Sequence, residues 1–525
     1  MANFSLIGLQ SPQVPTPRPT NHTNPWQRAL ADGRKPTPQV IISLLIIQDA
    51  EIRRLLKWGN EFGSVYSLKI GRGTMIVLNS KQAVYDLIDK RGAIYSARPS
   101  DEQVFHTMRG ENLGLIDQTP LWKSQRKLVV QYLAPKRLDG EMARVSEAEW
   151  VISMLMRDLL DSPEDFSGHV KRCGASAAAI TIFGQRATTN REFWGTGVYE
   201  ASVAITEAMT PGSYLPTEQF PVLKLFPQSW SSSKTRAQNA YKVFTAVAQE
   251  AAHRVENRRK THGPRNCLLD KVIDGDIIPD EPMFGSKFVN FFTTIWAAAA
   301  DTTAVALLTN IRYLAAHPEV QRKAQAELDK VCGTHRPPTW ADFDRLPYIN
   351  CIMKEGLRIQ GVVPLGFPHR ATQDNWYNDM LIPRDATVII SPFVLGRTQY
   401  PDGETYNPDR FRDSPLLASD YAASADYEKR DHYAYGAGRR ICAGIQLAER
   451  TQWRVFVRVL WAFEIGHEMD EITGKRFEID TEAFEHNLAP WPLPFKVRFL
   501  PRSREHVEVL KRDAREAEEF LWGWE

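Results

Sequence analysis

The sequence predicts one large, mainly α-helical domain with small β-sheets, and three observations carry that reading. Helical periodicity dominates residues 80–330, strand-like alternation is confined to short stretches near both ends, and no Gly/Ser linker or fixed-period repeat interrupts residues 80–500. The 525 residues, 43% hydrophobic and 24% charged, are globular in composition and exclude a disulfide scaffold or a mostly disordered chain. That length would also accommodate several ordinary domains, so the unbroken patterning is what favours one.

The elements follow in order. Seven prolines fall before residue 39, so residues 1–40 are expected to form an extended, mobile leader ahead of a domain spanning 41–505. Within 40–47, VIISLLII is the most apolar early run, but it is far short of the ~20 residues that cross a bilayer. DAEIRRLLKWGNEFG then has helical spacing, and SVYSLKIG with GTMIVLN reads as two strands joined through Gly71 and Gly73. Helices are predicted over SKQAVYDLIDKRG, TPLWKSQRKLVVQYL, MARVSEAEWVISMLMRDLL, VKRCGASAAAITIFG and NAYKVFTAVAQEAAHRVENRRK. Strand signals return in ATVIISPF, FEIGHEM and PFKVRFL. Residues 414–433 are polar enough to predict a surface excursion, and 506–525 a charged, solvated helix or tail.

A formal net charge of +2 gives no long-range attraction for nucleic acid or another polyanion. The cysteines at 173, 267, 332, 351 and 442 are odd in number and widely spaced, which excludes a disulfide framework and a CxxC site. They read as reduced thiols.

Four patterns carry chemistry. In YGAGRRICAGIQLAERTQWRVFVRVL, Gly436, Gly438 and Gly444 surround Cys442 immediately before an amphipathic helix. Glycines allow close approach of a bulky ligand, and a helix start stabilises a thiolate. By these arguments alone an ordinary buried cysteine fits equally well. Glu355 and Arg358 share a helical face, a spacing that by itself gives a modest i,i+3 ion pair. In WAAAADTTAVALLTNIRYLAAHP, Asp301 and Thr302 interrupt an apolar helix. Trp122 and Arg126 stand four apart in LWKSQRKLVVQYL, with His369 in PLGFPHRA.

Together these segments resemble the cytochrome P450 family over roughly residues 45–500, in a style similar to filamentous-fungal members that tailor secondary metabolites. The resemblance implies a single-domain cytochrome P450 fold and haem b (heme b, iron protoporphyrin IX), with Cys442 as proximal iron ligand and Trp122, Arg126, His369 and Arg440 around the propionates. Glu355 and Arg358, with Arg410 of Pro408-Asp409-Arg410-Phe411, match a structural network. Asp301 and Thr302 match the acid–alcohol pair that delivers protons to oxygen. Tyr435 stands where the family usually has Phe, and Ala299 where it usually has Gly. The loop NWYNDMLIPRDATV lacks the usual glycines, and Arg397 replaces part of a customary His-Arg pair.

The implied reaction is insertion of one atom of dioxygen, the cosubstrate, into a lipophilic small molecule. Electrons would come from NADPH through a separate NADPH-cytochrome P450 reductase, with cytochrome b5 as an optional second donor. Lys123, Lys127 and Arg439 are candidates for its docking surface. By resemblance the substrate walls include Phe105, Met108, Met209, Tyr214, Leu215, Phe292, Trp296, Val362, Val363, Leu365 and Leu488, an apolar set. The expected location is the cytosolic side, associated with the endoplasmic reticulum peripherally. A haem-thiolate isomerase, dehydratase or peroxygenase, or a non-catalytic haem or lipophile carrier, are the alternatives.

Overall fold

The computed structural model describes residues 39–41, 51–140, 142–146, 154–210, 214, 217–225, 232–470 and 472–524. The leader before residue 39 and most of the apolar run at 40–47 lie outside the described residues.

An early segment of the chain meets residues 369–390 in a five-stranded sheet. Strands β1 (Gln39–Ile41), β2 (Val65–Ile70), β3 (Gly73–Leu78), β4 (His369–Arg370) and β7 (Thr387–Ile390) lie in the order β1-β2-β3-β7-β4. The β2–β3 hairpin turns through Gly71 at φ +54°, where an added Cβ would lie 2.4 Å from the Gln219 carbonyl oxygen. β3 pairs parallel with β7 in the register Met75↔Thr387 to Leu78↔Ile390, and β4 pairs antiparallel with β7, placing His369 opposite Val388. β5 (Asn375–Tyr377) and β6 (Met380–Ile382) form a hairpin whose two turn residues, Asn378 and Asp379, have φ +47° and +60°. Asn and Asp tolerate this left-handed conformation, so the turn forms without the missing glycines. β8 (Phe463–His467) pairs with β9 (Val497–Pro501).

The principal helices are α1 (Glu51–Phe62), α2 (Glu102–Met108), α3 (Pro120–Tyr132), α4 (Met154–Asp161), α5 (Phe166–Phe183), α6 (Phe193–Met209) and α7 (Ser233–His262). They continue with α8 (Ser286–Ala316), α9 (Pro318–Cys332), α10 (Pro347–Ile359), α11 (Pro392–Thr398), α12 (Ile445–Ala462) and α13 (Arg504–Leu521). Thr119 caps α3 by accepting the Trp122 N–H at 3.1 Å, with Pro120 at the first helical position, so the local sequence fixes where Trp122 and Arg126 emerge. The 31-residue α8 is apolar on nearly every face and packs against α5, α6, α7, α10 and α12. Among the described residues it alone is long and apolar enough to cross a membrane, and 72% of that window is buried inside the protein, which makes it the core helix.

Two expectations are corrected. The C-terminal segment is a helix, as one of the two readings had it, but it is docked and not solvated. Charged residues conceal a buried stripe of Val509, Leu510, Ala514, Ala517 and Leu521, and Arg458 reaches Asp513 at 3.5 Å. The 414–433 segment is likewise tied down: Glu449 accepts the Ala418 and Ser419 N–H groups at 2.6 and 3.1 Å, and Lys354 pairs with Asp431 at 2.9 Å with both side chains buried. Its polar residues satisfy buried partners and do not all face water.

Candidate active site

The loop before α12 owes its shape to its glycines. Gly436 and Gly438 adopt φ +74° and +59°, and a Cβ on Gly438 would sit 2.6 Å from the Ile88 carbonyl oxygen. The Gly438 N–H donates to Asp89 at 2.8 Å, Arg430 donates to the Gly436 carbonyl, and the Cys442 N–H closes the loop on the Tyr435 carbonyl at 2.8 Å. Cys442 is thereby presented to a cavity of about 400 Å³, deeply enclosed yet accessible from that cavity. Burial pushes its thiol pKa up, opposed by the Gly444 N–H and by Arg126. The Tyr435 hydroxyl accepts a hydrogen bond from Gln452 at 3.2 Å, so the extra polar atom relative to Phe has a partner.

Arg98, Trp122, Arg126, His369 and Arg440 line the same cavity. Arg440 donates to the Ser96 and Ile116 carbonyls at 2.8 and 2.9 Å, stacks on Trp122 at 4.1 Å, and keeps a buried Nη1 with no hydrogen-bond partner among the described residues. Arg126 donates to the Ile441 carbonyl at 2.7 Å, and Arg98 to those of Gly114, Phe367 and Pro368. Carbonyls satisfy donors but do not neutralise charge. Burial therefore pulls Arg98 down to about 9 and Arg440 to about 10, with Asp117 the carboxylate that opposes it in both. His369 Nδ1 lies 2.8 Å from the Tyr95 carbonyl, which can only accept, and burial beside Arg98 and Arg440 lowers its pKa to about 3. A ligand bearing two carboxylates fits this cluster: it would balance the guanidinium charge, engage the orphaned Arg440 donor and reverse the penalty on His369. Iron protoporphyrin IX is such a ligand, and Cys442 supplies a thiol donor in the same cavity.

Beneath this region, Arg358 makes two bonds to Glu355 at 2.6 and 2.8 Å, and Arg410 adds one at 3.2 Å. Arg358 also donates to the carbonyls of Gly396, Gly403 and Thr405. Glu355 and Arg358 are fully buried, so the pair acts as a clasp on α11 and the 403–410 segment, not as a surface contact. Arg397 reinforces it by donating to the Ile359 carbonyl and Glu404.

On α8, Ala299, Asp301 and Thr302 also line the cavity. The Thr302 hydroxyl donates to the Ala298 carbonyl at 2.7 Å, which leaves its oxygen available as an acceptor. Burial raises the Asp301 carboxyl to about 7, opposed by Lys171.

Of the predicted substrate walls, Met108, Met209, Val362, Val363 and Leu488 line the cavity. Others are displaced, and the reasons are packing. Trp296 is fully buried with its indole donating to the Ala175 carbonyl at 2.9 Å among Phe183, Phe193 and Trp194, while Phe292 packs on Phe288 and Phe291. Phe105 is 45% exposed, Leu365 packs with the β2–β3 cluster, and Tyr214 bonds to Asp101 at 3.4 Å. Leu215 lies outside the described residues. In their place stand Thr294, Ile295 and Ala298 of α8 and Ser202, Ile205 and Thr206 of α6. The α8 residues lie one and two turns before Thr302, so stepping back from Thr302 by helical periods would have found them.

Comparison with known proteins places this geometry. The cytochrome P450 family model matches residues 32–479. The chain is 34% identical to cytochrome P450 monooxygenase yanC of Aspergillus niger over 515 residues, covering 94% of each protein. It is 34% identical to the monooxygenase macC of Penicillium terrestre, covering 89% of this chain and 88% of that one. Solved structures of a zebrafish cytochrome P450, with abiraterone or with progesterone, superpose with TM-scores of 0.65 and 0.66 at 20% identity, covering 86% of this chain and 100% or 99% of theirs, and so share its fold. With the Cys442 loop, the cation cluster and the core helix in place, the chain belongs to the cytochrome P450 family, whose matched relatives are monooxygenases and hence oxidoreductases.

Proposed function

We propose that the protein inserts one atom of dioxygen into a lipophilic small molecule, an intermediate of fungal secondary metabolism, by C–H hydroxylation or epoxidation. The observation that carries this reading is the convergence of Cys442, the Arg98–Arg126–Arg440–His369 cluster and the Asp301–Thr302 pair on one cavity. Bound haem supplies the redox-active iron at which dioxygen is activated. Cys442 holds that iron, and the cation cluster with Trp122 orients the macrocycle through its carboxylates. Met108, Met209, Ile295, Val362 and Leu488 exclude water and hold substrate by shape. Asp301, poised near neutrality, takes up and releases a proton at its carboxyl oxygens, while the Thr302 oxygen accepts hydrogen bonds inside the cavity.

Electrons come in this reading from a separate NADPH-dependent reductase on the cytosolic face of the endoplasmic reticulum. Lys123, Lys127 and Arg439 are its proposed contacts; Lys127 pairs with Asp280 at 2.8 Å on the surface, which docking would have to displace. Purified protein is expected to bind haem and give the red-shifted carbon-monoxide difference band of a thiolate complex, and Cys442→Ser to lose it. A normal thiolate band in that variant would sink the ligand assignment. Product formation that depends on both NADPH and dioxygen separates the monooxygenase from an isomerase, dehydratase, peroxygenase or carrier.

A further inference from the structure

The chamber that holds Cys442 has a second, polar end. A narrow void with no room for a water molecule adjoins it, and Met108, Asn112, Phe244 and Thr294 line both spaces. Glu111, Tyr241 and Asn290 close the void from behind. Neither Cys442 nor any member of the Arg98–Arg126–Arg440–His369 cluster borders it, so this end lies away from the groups that fit the haem. Along α8, Thr294 stands eight residues before Thr302, two helical turns or about 12 Å. Elsewhere the substrate wall is largely apolar, including Leu488 and Ala489 of the 483–493 loop, which Arg312 of α8 clamps by donating to the Ala483 and Leu493 carbonyls. Its other hydroxyls, Ser202 and Thr206 of α6, are less buried and border the chamber alone.

Two side chains at the polar end have hydrogen-bonding capacity that the protein does not use. Thr294 is 8% exposed and its Oγ1 has no partner among the described residues, whereas Thr302 on the same helix donates to the carbonyl four residues back. Thr293 and Thr309 of α8 also lack hydroxyl partners, but neither lines the chamber. Asn112 accepts the Gly114 N–H on Oδ1 at 2.9 Å, which commits its amide oxygen and leaves Nδ2 as a donor. Behind them the buried Glu111 accepts from Asn290 Nδ2 at 2.6 Å, Ser286 at 2.9 Å and Tyr241 at 3.2 Å. A carboxylate only accepts, so it fixes the Asn290 amide with Oδ1 turned away, and that buried oxygen has no partner. Asn290 and Thr294 are four apart on one helical face, so Asn290 Oδ1 offers the Thr294 proton an acceptor and leaves the Thr294 oxygen free to accept in turn.

We propose that Thr294 and Asn112 are specificity-determining residues that bind a hydroxyl group of the substrate at the end of the chamber away from Cys442. The substrate hydroxyl donates to Thr294 Oγ1 and accepts from Asn112 Nδ2, flanked by the apolar Met108 and Phe244. One oxygen that both donates and accepts matches this pair, whereas a ketone, ester or ether oxygen only accepts and a cation only donates. Leaving either group unpaired carries a penalty, which is how a polar site rejects an analogue lacking the hydroxyl. The substrate is therefore a hydroxyl-bearing lipophile, oxidised at a carbon toward the Thr302 end. The anchor belongs to the function proposed above and rests on that reading, in which this chamber holds the substrate.

The test is calorimetric titration of the full-length, haem-loaded protein with three probes of one chain length: 1-octanol, 1-methoxyoctane and octylguanidinium. Transfer out of water favours the ether, so tighter binding of the alcohol reports polar contacts and not burial. The alcohol is expected to bind roughly three- to tenfold tighter than the ether, Thr294→Val to remove that preference, and Thr294→Ser to keep it. Asn112→Asp keeps an acceptor for Gly114 but replaces the donor, and is expected to move the preference to octylguanidinium. An ether that binds as tightly as the alcohol, an alcohol that does not bind, a cation that binds best to the wild type, a preference that survives Thr294→Val, or an unchanged order in Asn112→Asp would each overturn the proposal. The wild-type comparison needs no variant, so a misfolded substitution leaves the test standing. Hydroxyl-selective binding without NADPH- and dioxygen-dependent turnover would fail the proposed function alone, and turnover without hydroxyl selectivity would fail this inference alone.

Discussion

Glu449 shows how a single buried carboxyl couples the scaffold of the Cys442 loop to pH. It sits on α12, 3% exposed, and burial raises its pKa to about 7 from an ordinary 4.5, although Ser419 and Ala418 both donate to it. Because the folded protein then binds this proton more tightly than the unfolded chain, the group's contribution to stability is full below about pH 4.5 and is lost as pH rises through about 7. Glu449→Gln cannot ionise. The variant is therefore expected to gain on the wild type by up to about 3 kcal/mol between those pH values and to run parallel above them, as measured by denaturant unfolding across the pH range. Cys442, Glu355 and Arg358 were legible in the sequence because they stand in short motifs that resemble those of a known family, since local spacing alone left an ordinary cysteine and a modest ion pair. Glu449 carried no such signal, since its partners come from a segment 30 residues away that reads as surface.

At the scale of elements, what the sequence showed and what it hid divide by whether local periodicity has a phase. α3 is one-sided as its pattern predicts, burying Trp122, Gln125, Leu128, Val129 and Tyr132, whereas the β2–β3 strands are buried on both faces and α12, expected to be amphipathic, is buried on nearly all of its faces. α8 is apolar on nearly all faces, so hydrophobic patterning alone did not separate Phe292 and Trp296, in the core, from Ala298, in the cavity; only the phase set by Thr302 does. The Asn378–Asp379 turn shows the reverse case, where the absent glycines mattered less than the side chains that replaced them. No such substitute exists at Gly438. Gly438→Ala is expected to cost at least about 2 kcal/mol from the left-handed backbone and the contact with Ile88. It should be seen as a lower ratio of haem to protein absorbance after purification, with Gly444→Ala, which meets nothing closer than 3.9 Å, affected less.

For the whole molecule, the unbroken helical patterning anticipated a structure in which distant segments complete one another. The β3–β7 pairing joins residue 75 to residue 387, and the C-terminal α13 closes over the early half of the chain at Met142, Val145 and Ile180. The Trp524 carbonyl also accepts the Arg186 N–H at 3.0 Å. Ending the chain at residue 503 would uncover that apolar patch and remove Asp513 from the buried Arg458. The expected loss is several kcal/mol, read as a lower melting temperature and reduced soluble yield, whereas a truncation without effect would mean that α13 is dispensable to the core.

The loop clamped by Arg312 joins two properties that selection would otherwise adjust separately. Its tip contributes Leu488 and Ala489 to the chamber wall, and its base is fixed by Arg312 to α8, the helix that carries Asp301 and Thr302. A lineage that reshapes the tip to admit a new molecule therefore works against an anchor on the same helix that forms another part of that wall.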